Sequence, residues 1–436
     1  MSHRYDTVPG ADGAAAPRLQ VALTWLAGVL AAVELGAIPP VSPAVQSSLG
    51  LSFGTVAWAT SGMTAVGAAL GIPVGWWTSR FCARCALLTG LVALSAAAGL
   101  CTFARSWPML LGLRTAEGAG YLLVFVAGPI VLTRLTQGRA QAAALALWGT
   151  CVPTGVALAT AVGGALASRL PWSCWLGLTG VGPLAVAVLL ALALPHLPST
   201  ATARRSRTAG TWVRFLAPAG AYAFMSLVSV AIVVVLSEFL LRARHETFAQ
   251  AGAEVAVVSA GSAVGGLLAS WLLRRGVTVG ALAPFAVLMP LACLPAFSAG
   301  VPLGAGVTAA VLVLLVNGLL ISAVYAAVPA IARRPEDVDL ANGALTQLGS
   351  LGALVGPPLY GLAVGYAGWG GTVAATLLFA GLGTWLLLVT ARSAARPAPD
   401  SLIPSARLPM SAPDSAAQDS AQDSAAQEDI VGGRPE

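Results

Sequence analysis

Long apolar stretches recur from one end of the chain to the other, and they restrict its fold more than any other feature. About 20 residues of apolar helix are needed to cross the roughly 30 Å hydrocarbon core of a bilayer. Twelve segments reach that length: 19–41, 55–77, 85–104, 109–133, 140–167, 172–194, 215–240, 250–272, 277–299, 305–331, 340–365 and 370–391. The pattern predicts an all-α integral membrane protein with twelve transmembrane helices.

The low content of charged residues excludes an ordinary soluble domain. Hydrophobic residues make up 57% of the chain and charged residues 9%, whereas soluble domains carry about 25% charged residues. The 23 basic residues are all arginine, and they are spread singly or in pairs rather than gathered on one face. We therefore expect the chain to contact a lipid bilayer and not nucleic acid.

The arginines are distributed unequally between the two sides of the predicted spans. With the N-terminus in the cytoplasm, 18 of the 23 arginines fall on the cytoplasmic side. An excess of basic residues marks the cytoplasmic connections of membrane proteins. We therefore predict a multi-pass protein of the cytoplasmic membrane with both termini inside the cell.

The longest predicted cytoplasmic connection, 195–214, divides the apolar part of the chain into two six-helix bundles, 19–194 and 215–391. Residues 1–18 are polar, and residues 392–436 are polar and acidic with a near-repeat over 414–429. Neither segment has the apolar residues to bury a core, so both are predicted to be disordered cytoplasmic termini.

A weak internal repeat relates the two bundles. Three residues of the first bundle have an identical residue 190 positions later in the second bundle: Gly71, Gly75 and Arg84 correspond to Gly261, Gly265 and Arg274. Internal repeats are common in secondary transporters. The repeat favours a pseudo-symmetric transporter fold.

The chain lacks the motifs of nucleotide-driven pumps and of enzymes. Without lysine it has no phosphate-binding loop of the GxxxxGK[ST] type. Cys82 and Cys85 have a CxxC spacing, but no second Cys or His pair completes a zinc site. We expect no cofactor, no metal and no enzymatic activity, and we expect an ion gradient, most plausibly of protons, to supply the energy.

Three charged residues fall well inside the predicted spans: Glu34, Arg114 and Glu117. Glu238 lies near the end of the seventh span and Glu254 at the start of the eighth, where a solvated helix end is the favoured interpretation. Charges in the bilayer core are costly and usually face a partner or a wet cavity. Arg114 and Glu117 are three residues apart and share one helix face, and Glu34 is predicted at a similar depth. These residues are candidates for proton coupling and substrate binding, and the alternative is a static ion pair that only fixes helix packing.

Two further residues are candidates for the lining of a substrate cavity. Trp148 lies deeper in its span than most of the other tryptophans, which cluster near span ends as interfacial anchors do. Asn317 lies in the middle of the tenth segment. A hydrogen bond between two helices is an equally good role for Asn317.

Residues 75–84, GWWTSRFCAR, follow the second segment and resemble a conserved loop of the major facilitator superfamily. The family pattern is Gly-x-Leu-Ala-Asp-Arg-x-Gly-Arg-Arg, and the resemblance implies a conformational role for Gly75, Arg80 and Arg84. Ser79 replaces the acid and Cys82 the second glycine of that pattern.

Other segments resemble the same superfamily. Residues 114–120, RTAEGAG, differ from the family pattern Arg-x-x-Gln-Gly-x-Gly only by glutamate in place of glutamine. The Gly-Pro-x-x-Gly-Gly pattern of its antiporters survives only as Gly163-Gly164 in the fifth segment, whereas Gly356-Pro357 in the eleventh is the nearer likeness. The resemblance implies twelve helices in two bundles, with helix-packing roles for these four residues.

The leading hypothesis is a secondary transporter that moves a small organic solute by alternating access, in the form of proton-coupled efflux of amphipathic compounds. It would act as a monomer on a small-molecule substrate and protons. One alternative is a proton-coupled importer of a small organic anion that binds Arg114. An alternative of another class is a membrane receptor or scaffold that has lost transport.

Overall fold

The computed structural model describes residues 15–78, 82–166, 169–194, 212–332 and 335–394. Within these ranges the chain forms α-helices and short 3-10 helices and no β-strand. The N-terminal half contains α1 (Ala15–Leu35), α2 (Ser42–Leu49), α3 (Phe53–Thr78), α4 (Ala83–Cys101), α5 (Trp107–Leu135), α6 (Gly138–Trp148), α7 (Cys151–Leu166), α8 (Trp172–Thr179) and α9 (Val181–Ala193). The C-terminal half contains α10 (Leu216–Ala243), α11 (Phe248–Arg274), α12 (Val279–Leu282), α13 (Leu288–Ala296), α14 (Leu303–Ile331), α15 (Pro335–Ala367) and α16 (Gly371–Ala394).

Helical structure occupies each of the twelve predicted segments, which confirms an all-α membrane fold. Ten stretches of the described chain are long and apolar enough to cross a bilayer, and the last of them, Asp337–Ala394, contains both α15 and α16. The exact count of twelve spans stays a prediction. The described helices belong to one compact unit, so the division into two bundles also stays a prediction. Most of the predicted linker 195–214, nearly all of 392–436, and residues 1–14 of the N-terminal segment lie outside the described residues.

Several predicted spans are interrupted. The first helix ends at Leu35 rather than near residue 41, and a 3-10 turn over Pro39–Val41 follows. Proline has no backbone N–H to donate, so two consecutive prolines cannot continue the helix there. The fifth and sixth segments each consist of two helices that meet at a glycine, Gly149 and Gly180 respectively.

The two halves pack closely where α3 meets α15. Glycines one helical turn apart on α3 face the backbone of α15: a Cβ added to Gly75 would lie 2.8 Å from Gly343 Cα, and one added to Gly71 would lie 2.7 Å from the backbone N of Gln347. Gln347 Oε1 also accepts a hydrogen bond of 2.8 Å from the backbone N–H of Ile72. Small residues permit this close approach of helices in a membrane.

Further contacts between the halves lie at the same end of the molecule, where α3 and α5 end and α15 begins. Ser270 Oγ on α11 donates a hydrogen bond of 2.8 Å to the carbonyl of Ala143 on α6. Arg134 Nη2, near the end of α5, lies 3.8 Å from Oδ2 of the buried Asp339 on α15. We call this the closed end of the molecule.

Candidate functional site

Glu34, Arg114 and Glu117 form one cluster, which we call the charge cluster. All three side chains are fully buried, at 0% exposure. Glu34 is the penultimate residue of α1, and the other two lie in the first half of α5. The cluster therefore lies away from the closed end, and the structure brings together the three ionisable residues that the sequence singled out.

Arg114 connects three helices through its guanidinium group. Nη1 forms an ion pair with Glu117 Oε2 and lies 4.0 Å from Glu34 Oε2. Nη2 donates a hydrogen bond of 2.6 Å to the backbone carbonyl of Glu34, and Nε donates to the carbonyl of Ala59 on α3 at 3.5 Å. The Glu34 carbonyl also accepts a hydrogen bond of 3.2 Å from the backbone N–H of Ala37, so the arginine shares this acceptor with the turn that follows α1.

Two polar side chains that sequence reasoning missed complete the cluster. Cys101, the last residue of α4, donates from its thiol to Glu117 Oε1 at 3.2 Å. Thr179, the last residue of α8, has its hydroxyl oxygen 2.7 Å from Glu34 Oε2. The other carboxyl oxygen of Glu34 is buried and has no hydrogen-bond partner. In the sequence both residues are small groups in apolar runs, and nothing in their spacing points to the cluster.

The charges of the cluster do not balance. One guanidinium carries a single positive charge, and two ionised carboxylates would carry two negative charges. An uncompensated buried charge is strongly unfavourable. The cluster is neutral only when one of the two carboxyl groups carries a proton.

A buried polar network without charges lies in the C-terminal half. Tyr360 and Thr376 have hydroxyl oxygens 2.9 Å apart, and Cys293 Sγ lies 3.4 Å from the Thr376 hydroxyl. All three side chains are buried. The network joins α13, α15 and α16.

Trp148 is buried inside the N-terminal half. A Cβ added to Gly28 on α1 would lie 2.8 Å from the far edge of the Trp148 ring, and Gly128 on α5 faces the same edge of the ring. Phe125 packs against the ring with a centroid distance of 5.3 Å. The indole therefore occupies a slot between two glycines, and a cavity-lining role for Trp148 stays a prediction.

Replacing Gly28 with alanine should destabilise the protein. The added methyl group would overlap the Trp148 ring, and overpacking a filled core costs about 1–3 kcal/mol. We expect a lower midpoint of thermal unfolding for Gly28→Ala in detergent. Gly112→Ala is the matched control, because a Cβ there meets no atom within 4 Å, and it should unfold at the wild-type temperature or slightly above. Equal midpoints for the two variants would contradict this packing.

Asn317 forms a hydrogen bond between helices. Its Nδ2 donates to the carbonyl of Met225 on α10 at 3.0 Å, while Oδ1 is buried without a partner. The structure thus contains the helix–helix bond that was one of its two expected roles. Substrate binding by Asn317 stays a prediction.

The conformational loop is described in part. Gly75 lies against α15, and Arg84 Nη2 donates a hydrogen bond of 2.5 Å to the carbonyl of Ala191 on α9. Arg80 lies outside the described residues. Asp339 was not singled out in the sequence, yet it places a carboxylate beside Arg134 at the closed end, and its backbone carbonyl oxygen would lie 3.0 Å from a Cβ added to Gly75.

The glycines expected to pack helices differ in their surroundings. A Cβ added to Gly163 would lie 2.8 Å from the Pro40 ring, and one added to Gly356 would lie 2.5 Å from the carbonyl oxygen of Leu227 on α10. A Cβ on Gly164 would meet no atom within 4 Å, so the close contact of that pair comes through Gly163. Pro357 lies inside α15 without ending it.

The fold and the site define a helical membrane protein with a buried ion cluster in one half. Residues 24–314 match the Major Facilitator Superfamily. This match covers more than half of the 436 residues, and the chain belongs to that family. It is a multi-pass membrane protein of a family of secondary transporters, and the family points to a transporter rather than an enzyme.

A curated relative and two solved structures resemble the chain. The multidrug efflux pump LfrA of Mycolicibacterium smegmatis is 30% identical over 158 residues, which are 36% of this chain and 31% of LfrA. The chain thus matches less than a third of that relative's length. The human organic anion transporter MFSD10 is 16% identical with a TM-score of 0.71, covering 85% of this chain and 99% of MFSD10. The E. coli fucose:proton symporter FucP is 17% identical with a TM-score of 0.68, covering 88% and 100% respectively. At these identities the two structures show the fold alone.

Proposed function

We propose that the protein is a proton-coupled transporter that exports amphipathic organic compounds from the cytoplasm, and that the charge cluster is its proton-coupling site. The observation that carries this proposal is a fully buried site with two carboxyl groups for one guanidinium group. Such a site needs one proton to be neutral. Binding and releasing that proton changes which carboxyl group can pair with Arg114.

A static brace explains the cluster less well than coupling does. Replacing a buried ion pair by well-packed apolar residues is often neutral or stabilising, so packing alone does not require charges. A second carboxyl group beside one guanidinium group is explained if Arg114 pairs with Glu117 in one conformation and with Glu34 in another.

The contacts of Arg114 suggest how proton release would be coupled to helix movement. Arg114 pairs with Glu117 and caps the end of α1 in the conformation that is packed at the closed end. Loss of the proton from the cluster creates a second carboxylate that attracts the guanidinium towards Glu34. That movement would pull on α1, α3 and α5 together, because Arg114 contacts all three helices. For alternating access, the packing of α3 on α15 and the Arg134–Asp339 pair must then separate.

Export is favoured over import of an organic anion. Arg114 is fully buried and already paired, so it does not offer a free positive charge to an anionic substrate. The similarity to an efflux pump over 36% of the chain supports the same direction. We further infer that both termini lie in the cytoplasm, because that orientation puts 18 of the 23 arginines on the cytoplasmic side.

Dye accumulation in cells tests the proposed export. Cells that express the protein should accumulate severalfold less of a lipophilic cationic fluorescent dye than cells that express Arg114→Ala at equal membrane abundance. A protonophore should remove the difference, because it dissipates the proton gradient. Equal accumulation across a panel of amphipathic dyes, or a difference that survives the protonophore, would contradict proton-coupled export.

A further inference from the structure

We propose that Glu34 carries the coupling proton in the conformation described here, and that Thr179 is the positioning residue that accepts this proton's hydrogen bond. The proposal rests on the proposed function of the charge cluster and deepens it. It assigns the proton to one of two carboxyl groups that the sequence left equivalent. It also gives a role to a residue outside every motif of the chain.

The proton is assigned to Glu34 because the Thr179 hydroxyl group has only one hydrogen atom to donate. The Thr179 hydroxyl oxygen lies 2.7 Å from Glu34 Oε2 and 2.7 Å from the backbone carbonyl oxygen of Leu176. A hydroxyl group has one hydrogen to donate, and a backbone carbonyl can only accept. If the hydroxyl donates to Leu176, the contact with Glu34 needs a hydrogen from the carboxyl group. Both short contacts are satisfied together when Glu34 is protonated.

The other contacts of Glu34 fit a neutral carboxyl group. Oε1 is buried and has no hydrogen-bond partner among the described residues, a placement that is far less costly for an uncharged carbonyl oxygen than for a carboxylate oxygen. The guanidinium of Arg114 stays 4.0 Å from Oε2 and instead donates to the backbone carbonyl of Glu34. An ionised Glu34 would compete for the closer position.

The contacts of Glu117 fit an ionised carboxylate. Both of its oxygens accept hydrogen bonds: Oε2 from the Arg114 guanidinium and Oε1 from the Cys101 thiol. Charge-assisted bonds of this kind favour the ionised form. The proton of the cluster therefore belongs on Glu34 while Glu117 holds the arginine.

The surroundings of the cluster contain few other groups that titrate. Cys101 is the titratable group that α4 contributes, α3 contributes the carbonyl of Ala59 and the thioether of Met63, and α8 contributes Thr179. No further charged side chain is paired with these residues in the described part of the chain. One proton thus decides the net charge of the site.

Infrared spectroscopy of the purified full-length protein in liposomes tests the assignment without measuring transport. A protonated carboxyl group gives a carbonyl stretching band that shifts in D2O, and the band of the cluster is identified as the one lost in Glu34→Gln. The position of that band depends on the hydrogen-bond partners of the protonated group. Thr179→Val should therefore shift the band, whereas Thr179→Ser, which keeps the hydroxyl, and Cys101→Ala should leave it in place.

Three outcomes would overturn the proposal. A band shifted by Cys101→Ala and not by Thr179→Val would place the proton on Glu117. A band unaffected by either change would remove Thr179 as its partner. A spectrum unchanged in Glu34→Gln would mean that Glu34 carries no proton. Because the band is read without substrate, a failed assignment is distinguishable from a failure of proton-coupled transport, which is measured separately.

Discussion

Replacing Arg114 with alanine is expected to abolish transport. The change leaves two carboxyl groups in a fully buried site without the one positive partner that the described residues give them. Removing one partner of a buried ion pair costs about 3–5 kcal/mol, enough to depopulate the working arrangement by about 100-fold or more. We expect substrate flux into proteoliposomes to fall to the level of protein-free liposomes.

Arg242→Ala provides the matched control for this variant. Arg242 lies on α10 with its side chain 76% exposed, and it pairs with the partly exposed Glu238 at 2.6 Å. Exposed pairs contribute about 0–1 kcal/mol, so the control should transport at the wild-type rate. Transport by Arg114→Ala at the same rate as the control would exclude Arg114 from the mechanism.

A triple variant separates coupling from bracing. Apolar side chains of similar length replace the three charged residues of the cluster in a variant that combines Glu34→Leu, Arg114→Met and Glu117→Leu. Buried ion groups often tolerate such replacement, so this variant should fold and insert, yet transport should lose its dependence on the proton gradient. Gradient-dependent transport by the triple variant would show that the cluster only braces the helices.

The charged members of the site could be predicted from sequence because ionisable residues are rare in apolar helices. Glu34, Arg114 and Glu117 stand out for that reason, and the structure joins them. Cys101 and Thr179 could not be predicted, because a thiol or hydroxyl in an apolar run bonds its own helix as readily as a distant partner. Their role depends on where α4 and α8 end in space relative to α1 and α5.

The limits of the helix predictions have a similar cause. Hydropathy identifies a long apolar segment, but it does not show where a proline or glycine stops the helix. The early end of α1 at Leu35 therefore became visible only in the structure, and the Glu34 carbonyl that Arg114 contacts lies at that end. Asp339 was likewise missed, because an acidic residue just before a predicted span is usually exposed to solvent at the end of the helix. In the structure, packing buries Asp339 beside Arg134.

Replacing Glu34 with glutamine should uncouple transport from the proton gradient. Glutamine keeps the size of the side chain and its capacity for hydrogen bonds with Thr179, but it cannot release a proton. Arg114 can then pair only with Glu117, so the change of partner that couples the two steps is lost. Substrate binding should remain measurable, because the substitution adds no charge and leaves no cavity.

The decisive measurement is transport of an exported dye by purified Glu34→Gln protein in liposomes with an imposed pH gradient. Glu238→Gln serves as the control, since this partly exposed acid lies outside the charge cluster. Wild-type protein and the control should transport faster when the gradient is imposed, and Glu34→Gln should bind the dye but show no response to the gradient. An unaltered response in Glu34→Gln would remove Glu34 from proton coupling.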